Sequence, residues 1–112
     1  MKFRLKDLEF FIKKFFFSQS YLLKKRLKRA IDNKYEKELN LIERFANKSK
    51  DAIDIGVYRG VYSLKLSQYF KFVHSFEPNP LLFPYLSKNL KKIIKNIKLY
   101  NLALSNKVSE TV

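Results

Sequence analysis

Cysteine is absent from this 112-residue chain, histidine occurs once, glycine twice and proline three times. Without cysteine there is no disulfide, no thiolate metal site and no cysteine nucleophile, which fits a reducing, cytoplasmic compartment. The single histidine, His74, cannot build a histidine metal cluster. Inside an apolar run it reads as a packed or half-exposed side chain rather than a catalytic base. No run reaches the roughly 18 apolar residues of a spanning helix, and the amino terminus lacks the apolar core and small-residue cleavage site of a secretory signal. A chain of this length holds one domain with a modest core. Acid is also scarce: 10 Asp and Glu stand against 24 Lys and Arg, a formal charge of +14. Such a charge suggests nucleic acid or an anionic membrane. Here, however, it comes from 19 Lys and only 5 Arg among many Asn, Ile, Phe and Tyr, the output of an AT-rich coding sequence. Lysines dispersed over helices read as a solvated face, and no nucleic-acid partner is expected.

What is present falls into two parts, a basic amphipathic helical extension over residues 1–48 and an α/β unit over 49–112. Residues 1 to 50 carry 15 Lys or Arg, 6 Asp or Glu, and neither glycine nor proline. Leu5, Leu8, Ile12, Phe15 and Phe16 trace one helical stripe, and Leu27, Ile31, Tyr35, Leu39 and Ile42 another. Breaks are expected near Ser18-Gln19-Ser20 and Asp32-Asn33, with Asp32 a candidate cap for a later helix. The helix over residues 3–17, with extra aromatics at Phe10, Phe11 and Phe17, has two readings: packing on the rest of the protein or a subunit, which is preferred, and peripheral contact with an anionic membrane. A helix from Tyr35 to Ala46 then leads through the polar linker Asn47-Lys48-Ser49-Lys50 into the first strand.

Both glycines lie in one stretch, Asp54-Ile55-Gly56-Val57-Tyr58-Arg59-Gly60. The apolar run before it reads as a strand covered on both faces, and Val61, Leu64 and Leu66 after it read as a helix packing back. Gly56 suits the angles of a tight turn, and Gly60 lets the helix start lie close to strand and ligand. The spacing is GxxxG rather than the GxGxxG of dinucleotide sites. Asp54 at the strand's end would repel a pyrophosphate but accept from an ammonium group, which favours a zwitterionic ligand. Phe72 to Phe76 reads as a second strand, and Glu77, 21 positions after Gly56, stands near the interval at which α/β nucleotide sites place a ribose-binding acid. The other reading of Glu77 is an exposed acid at a strand end. Pro78 and Pro80 stop this strand.

These residues resemble the FkbM-type family of S-adenosylmethionine-dependent methyltransferases. The likeness rests on Asp54, Ile55, Gly56, Gly60, Tyr62 and Ser63, on Phe76-Glu77-Pro78-Asn79-Pro80, and on Asn101-Leu102-Ala103-Leu104-Ser105, and it covers about residues 51 to 112. Tyr58 stands where the family commonly has Asn. The resemblance implies an incomplete doubly wound, Rossmann-like methyltransferase sheet of about three parallel strands with crossover helices. It implies S-adenosyl-L-methionine as cofactor, with Asp54 and the Gly56 to Gly60 backbone, Tyr58 included, at the methionine end and Ser63 at the cofactor carboxylate. Glu77 would take the ribose, Pro78 and Asn79 would border the adenosine, and Ala103 and Ser105 would flank the adenine. The activity implied is methyl transfer to a hydroxyl of a small acceptor such as a saccharide, with no nameable catalytic base. Leu39, Ile42 and Phe45 would close over the site.

Val61 to Phe70 and Leu81 to about Ile94 are expected as crossover helices, the second turning Leu82, Tyr85, Leu86, Leu90 and Ile93 or Ile94 inward and Lys88, Lys91, Lys92 and Lys95 outward. Ile97 to Asn101 is expected as the third strand. The chain stops at Ser109 to Val112, where the family's fourth strand would begin, so this reading expects a fragment or shortened frame. It also expects an exposed edge at Ala52 to Ile55, open to self-association. The alternatives are a non-catalytic remnant, a nucleic-acid-binding protein or RNA methyltransferase, and an NAD-dependent oxidoreductase.

Overall fold

The computed structural model describes residues 19–32 and 37–108, so the expected helix over 3–17, Tyr35 and the terminal Ser109 to Val112 lie outside the described residues. The elements are α1 (Gln19–Asp32), α2 (Glu38–Arg44), β1 (Asn47–Ile55), α3 (Val61–Tyr69), β2 (Phe70–Phe76), α4 (Phe83–Ile93) and β3 (Ile97–Tyr100). The three strands form a parallel sheet in the order β1-β2-β3. Ala52 pairs with Val73 and Ile55 with Phe76, while Val73 pairs with Ile97 and Phe76 with Tyr100. Parallel neighbours need a crossover, and α3 and α4 supply the two here. This is the α/β, Rossmann-like arrangement expected.

The helices lie on one side. α1 packs on α3 and α4, and α2 on α3. Leu23 and Leu27 of α1, Leu64 of α3, Leu86 and Leu90 of α4, and Val73, Ile97 and Leu99 of the sheet form one buried cluster. Pro84 falls in the first turn of α4, where its missing N–H costs no helical bond.

Several expectations are corrected. β1 is not covered on both faces: Ala52 and Asp54 are buried, but Ile53 and Ile55 are 62% and 67% exposed. Among the described residues the second face of the sheet is open. Asn47 to Lys50 is not a linker but the start of β1, with Asn47 paired to Phe70 across a register shift. An edge strand is held by backbone bonds and tolerates polar side chains, which is why composition misread it. Tyr85 is not part of the core: 37% exposed, it borders the space between α1 and α4, while the inner stripe of α4 runs through Leu86 and Leu90 to Ile94 just past its end. Phe45 lies just past α2 and is 72% exposed, so it closes over nothing, whereas Leu39 is buried. Asp32 ends α1, and α2 starts at Glu38 with Lys37 before it supplying no side-chain cap.

Candidate functional site

The bend between β1 and α3 has three residues with left-handed backbone, Gly56 (φ 80°), Tyr58 (φ 52°) and Gly60 (φ 93°). Gly56 extends the ladder by donating its N–H to the Phe76 carbonyl at 2.8 Å, and Gly60 closes a turn onto the Val57 carbonyl at 2.9 Å. The Gly60 carbonyl then accepts from Leu64 at 3.0 Å and starts α3. The two glycines serve different ends. A Cβ on Gly56 would meet nothing within 4 Å, so that side of the bend is open and only its φ demands glycine. A Cβ on Gly60 would lie 2.8 Å from a Leu90 methyl, so the close neighbour is α4 and not the strand.

Two carboxylates underlie the bend. Asp54 is buried and accepts a 2.6 Å hydrogen bond from the Ser63 hydroxyl at Oδ2, and Ser63 meets the Ser75 hydroxyl at 2.8 Å. Burial pushes the Asp54 carboxyl above its ordinary range. The Ser63 bond offsets part of that rise, and the nearby charge of Glu77 adds to it. Glu77 is buried rather than an exposed strand-end acid. Its Oε1 accepts from the Tyr58 N–H at 3.1 Å and its Oε2 from the Asn79 N–H at 2.9 Å. One carboxylate therefore ties the bend after β1 to the loop after β2. Asn79 in turn accepts from the Leu81 N–H at 2.9 Å, setting up the turn into α4.

Asp54, Ser63 and Glu77 thus come together beneath Gly56, Tyr58 and Gly60. Ser63 is fully buried with its hydroxyl turned toward Asp54 and Ser75. Pro78 and Asn79 are exposed at the rim. Ala103 and Ser105 lie in the exposed segment after β3, where Ser105 accepts from the Lys107 N–H at 3.3 Å. Asn101, in the motif after β3, has a part in the site that its position in the sequence does not show. Its amide donates to the Glu77 carbonyl at 2.9 Å and the Pro78 carbonyl at 3.3 Å, fastening the end of β3 to the acidic loop. Lys65, also overlooked, is buried and pairs with Glu43 of α2 at 2.6 Å, holding α2 against α3. Among the described residues no cluster of three or more His, Cys, Asp or Glu offers a metal site.

Two connected hollows border the bend. One, of about 470 Å³, is lined by Gly56, Val57, Tyr58 and Tyr62 on the bend side and by Ala30 and Leu39 opposite. The other, of about 610 Å³, runs between α1 and α4 and shares Ala30, Tyr58, Arg59 and Val61 with the first. Among the described residues no helix is long and apolar enough to cross a membrane.

No protein-family model matches the chain, and no curated protein matches it. Among solved structures it is similar to the 23S rRNA methyltransferase ErmE, at 24% identity and a TM-score of 0.51 over 59% of this chain and 28% of that one. A second similarity, to M. jannaschii TYW2 in complex with AdoMet, has 22% identity and a TM-score of 0.49 over 82% of this chain and 36% of the other. The chain therefore spans about a third or less of the solved proteins it matches. The likeness to ErmE is one of fold alone, a Rossmann-type parallel α/β sheet.

Proposed function

We propose that this chain forms the S-adenosylmethionine-binding part of an FkbM-type methyltransferase that acts on a hydroxyl of a sugar or another small metabolite. The observation that carries the reading is the Glu77 clamp. A buried acid at the end of β2 holds the amide of Tyr58, inside a glycine bend that opens on a cavity of about 470 Å³.

The residues fit such a cofactor. The open space beside Gly56 leaves backbone free to approach a ligand. Asp54 and Glu77 supply negative charge for an ammonium group and acceptors for ribose hydroxyls, at the carboxyl ends of adjacent strands where α/β sheets bind ligands. When bound, the cofactor supplies a methyl group on a positively charged sulfur. The chain's own part is to hold that group and the acceptor in register and to exclude water. Asn101, by fixing the Glu77-Pro78 backbone, positions the acid without touching ligand. No group is assigned as base.

Calorimetric titration of the chain with S-adenosylmethionine or S-adenosylhomocysteine tests this. Hydrogen bonds to a charged group contribute about 1.5–3 kcal/mol each, so Glu77→Ala is expected to weaken binding by about tenfold or more. Unchanged affinity in a folded variant removes Glu77 from the site. Binding of NAD in preference to S-adenosylmethionine would turn the assignment to an oxidoreductase.

A further inference from the structure

The larger hollow has a wall the donor reading does not use. Arg26 and Arg29 of α1 and Arg59 of the bend line it, together with Tyr58 and Tyr85, over a floor that includes Leu27. The chain has 19 lysines and 5 arginines, yet three of its arginines and none of its lysines line this cleft. Among the described residues no carboxylate forms an ion pair with any of the three.

Arginine and lysine differ in what they recognise. A guanidinium presents a planar fork that grips a phosphate through two bonds, and its face rests on aromatic rings, whereas an ammonium is a hydrated point charge. The Arg59 guanidinium lies 5.2 Å from the centre of the Tyr58 ring. Tyr58 itself has left-handed backbone, costly for a bulky residue, and its ring stands where the two hollows meet. At about 610 Å³ the cleft has the size of a small-molecule site rather than of a groove for a polymer.

We propose that this cleft binds the phosphate of a small phosphorylated acceptor through Arg26, Arg29 and Arg59, with the acceptor's organic part against Tyr58 and Tyr85. Phosphate binding stands on the cleft alone. Its service as acceptor site rests on reading the glycine bend as the donor loop.

The test titrates the full 112-residue chain with uridine 5′-monophosphate, uridine, inorganic phosphate and a 12-nucleotide single-stranded RNA, each at low and moderate salt. The monophosphate is expected to bind, more tightly than phosphate alone, and uridine not to bind. Arg26→Lys and Arg29→Lys keep the charge but lose the fork, and each is expected to weaken the monophosphate by about tenfold while leaving S-adenosylhomocysteine affinity unchanged. Equal binding of uridine and its monophosphate, or no effect of either Arg26→Lys or Arg29→Lys, overturns the proposal. RNA bound more than about a hundredfold tighter than the monophosphate, with a steep salt dependence, overturns it in favour of a nucleic-acid groove. Monophosphate binding without S-adenosylhomocysteine binding supports the phosphate cleft and removes the donor reading alone.

Discussion

The two faces of the sheet are built from the same strands and obey opposite rules. On the covered face Ala52, Val73, Ile97 and Leu99 are buried under helices, and so are the polar Asp54 and Ser75. On the open face Ile53 and Ile55 stand exposed beside an aromatic row. Phe76 stacks on Tyr100 at 4.6 Å, and His74 bridges the three strands through 3.0 Å contacts to Asp51 and to the Tyr100 hydroxyl. At the end of β1, then, the charged Asp54 points inward and Ile53 and Ile55 point outward. A buried carboxylate on a strand end is costly unless it is bonded, and Asp54 is bonded to Ser63. Such an inversion of the usual pattern belongs to a site rather than to a core.

The largest expected effects sharpen this contrast. Leu90→Ala, in the covered core, is expected to lower stability by about 2–5 kcal/mol, whereas Ile55→Ala on the open face should change it by under about 0.5 kcal/mol. Urea denaturation of both variants decides, and equal losses would show that the second face is also buried. Next, Gly60→Ala combines a left-handed backbone with a clash against Leu90 and should cost about 3 kcal/mol. Gly56→Ala meets open space and should cost only about 1–2 kcal/mol from its backbone. Melting temperatures of the pair measure the difference directly.

Asp54 gives a smaller effect of defined sign. Its folded-state carboxyl is pushed up by burial, so at pH values between the ordinary carboxylate range and the raised value the folded chain holds a proton that the unfolded chain has released. Stability therefore falls as pH rises from the ordinary carboxylate range through the raised value, and the penalty is complete above it. Asp54→Asn keeps an acceptor for Ser63 without charge. It should flatten that fall and raise the melting temperature at pH 7, while weakening S-adenosylmethionine binding. A variant less stable than the parent at pH 7 would contradict the assignment. Smallest is His74→Ala, which removes half-exposed contacts on the open face and should cost about 1 kcal/mol or less in the same denaturation assay.

Much of the α/β unit was legible before any coordinates. The glycine bend, both crossover helices and all three strands follow from apolar spacing and from the placing of glycine and proline, because these act within a few residues. Element ends were less so. Asn47 to Lys50 joins β1 through backbone pairing with β2, which side-chain pattern does not report. In the candidate site the positions of Asp54 and Glu77 were legible from their distance to the glycines, but their partners were not. Nothing near Asn101 in sequence points to the Glu77 carbonyl 24 residues away. The arginine cleft was equally hidden, since Arg26 and Arg59 line one hollow only when α1 lies beside the bend.

Composition and local spacing by themselves determined that this chain makes a parallel α/β unit around one glycine bend, because turn and strand preferences are settled over a few neighbouring residues. Tertiary structure alone decided which face of the sheet is covered, that Gly60 makes room for Leu90, and that Glu77 holds the Tyr58 amide. Those outcomes depend on groups far apart in the chain, and their contact free energies exist only once the helices have packed.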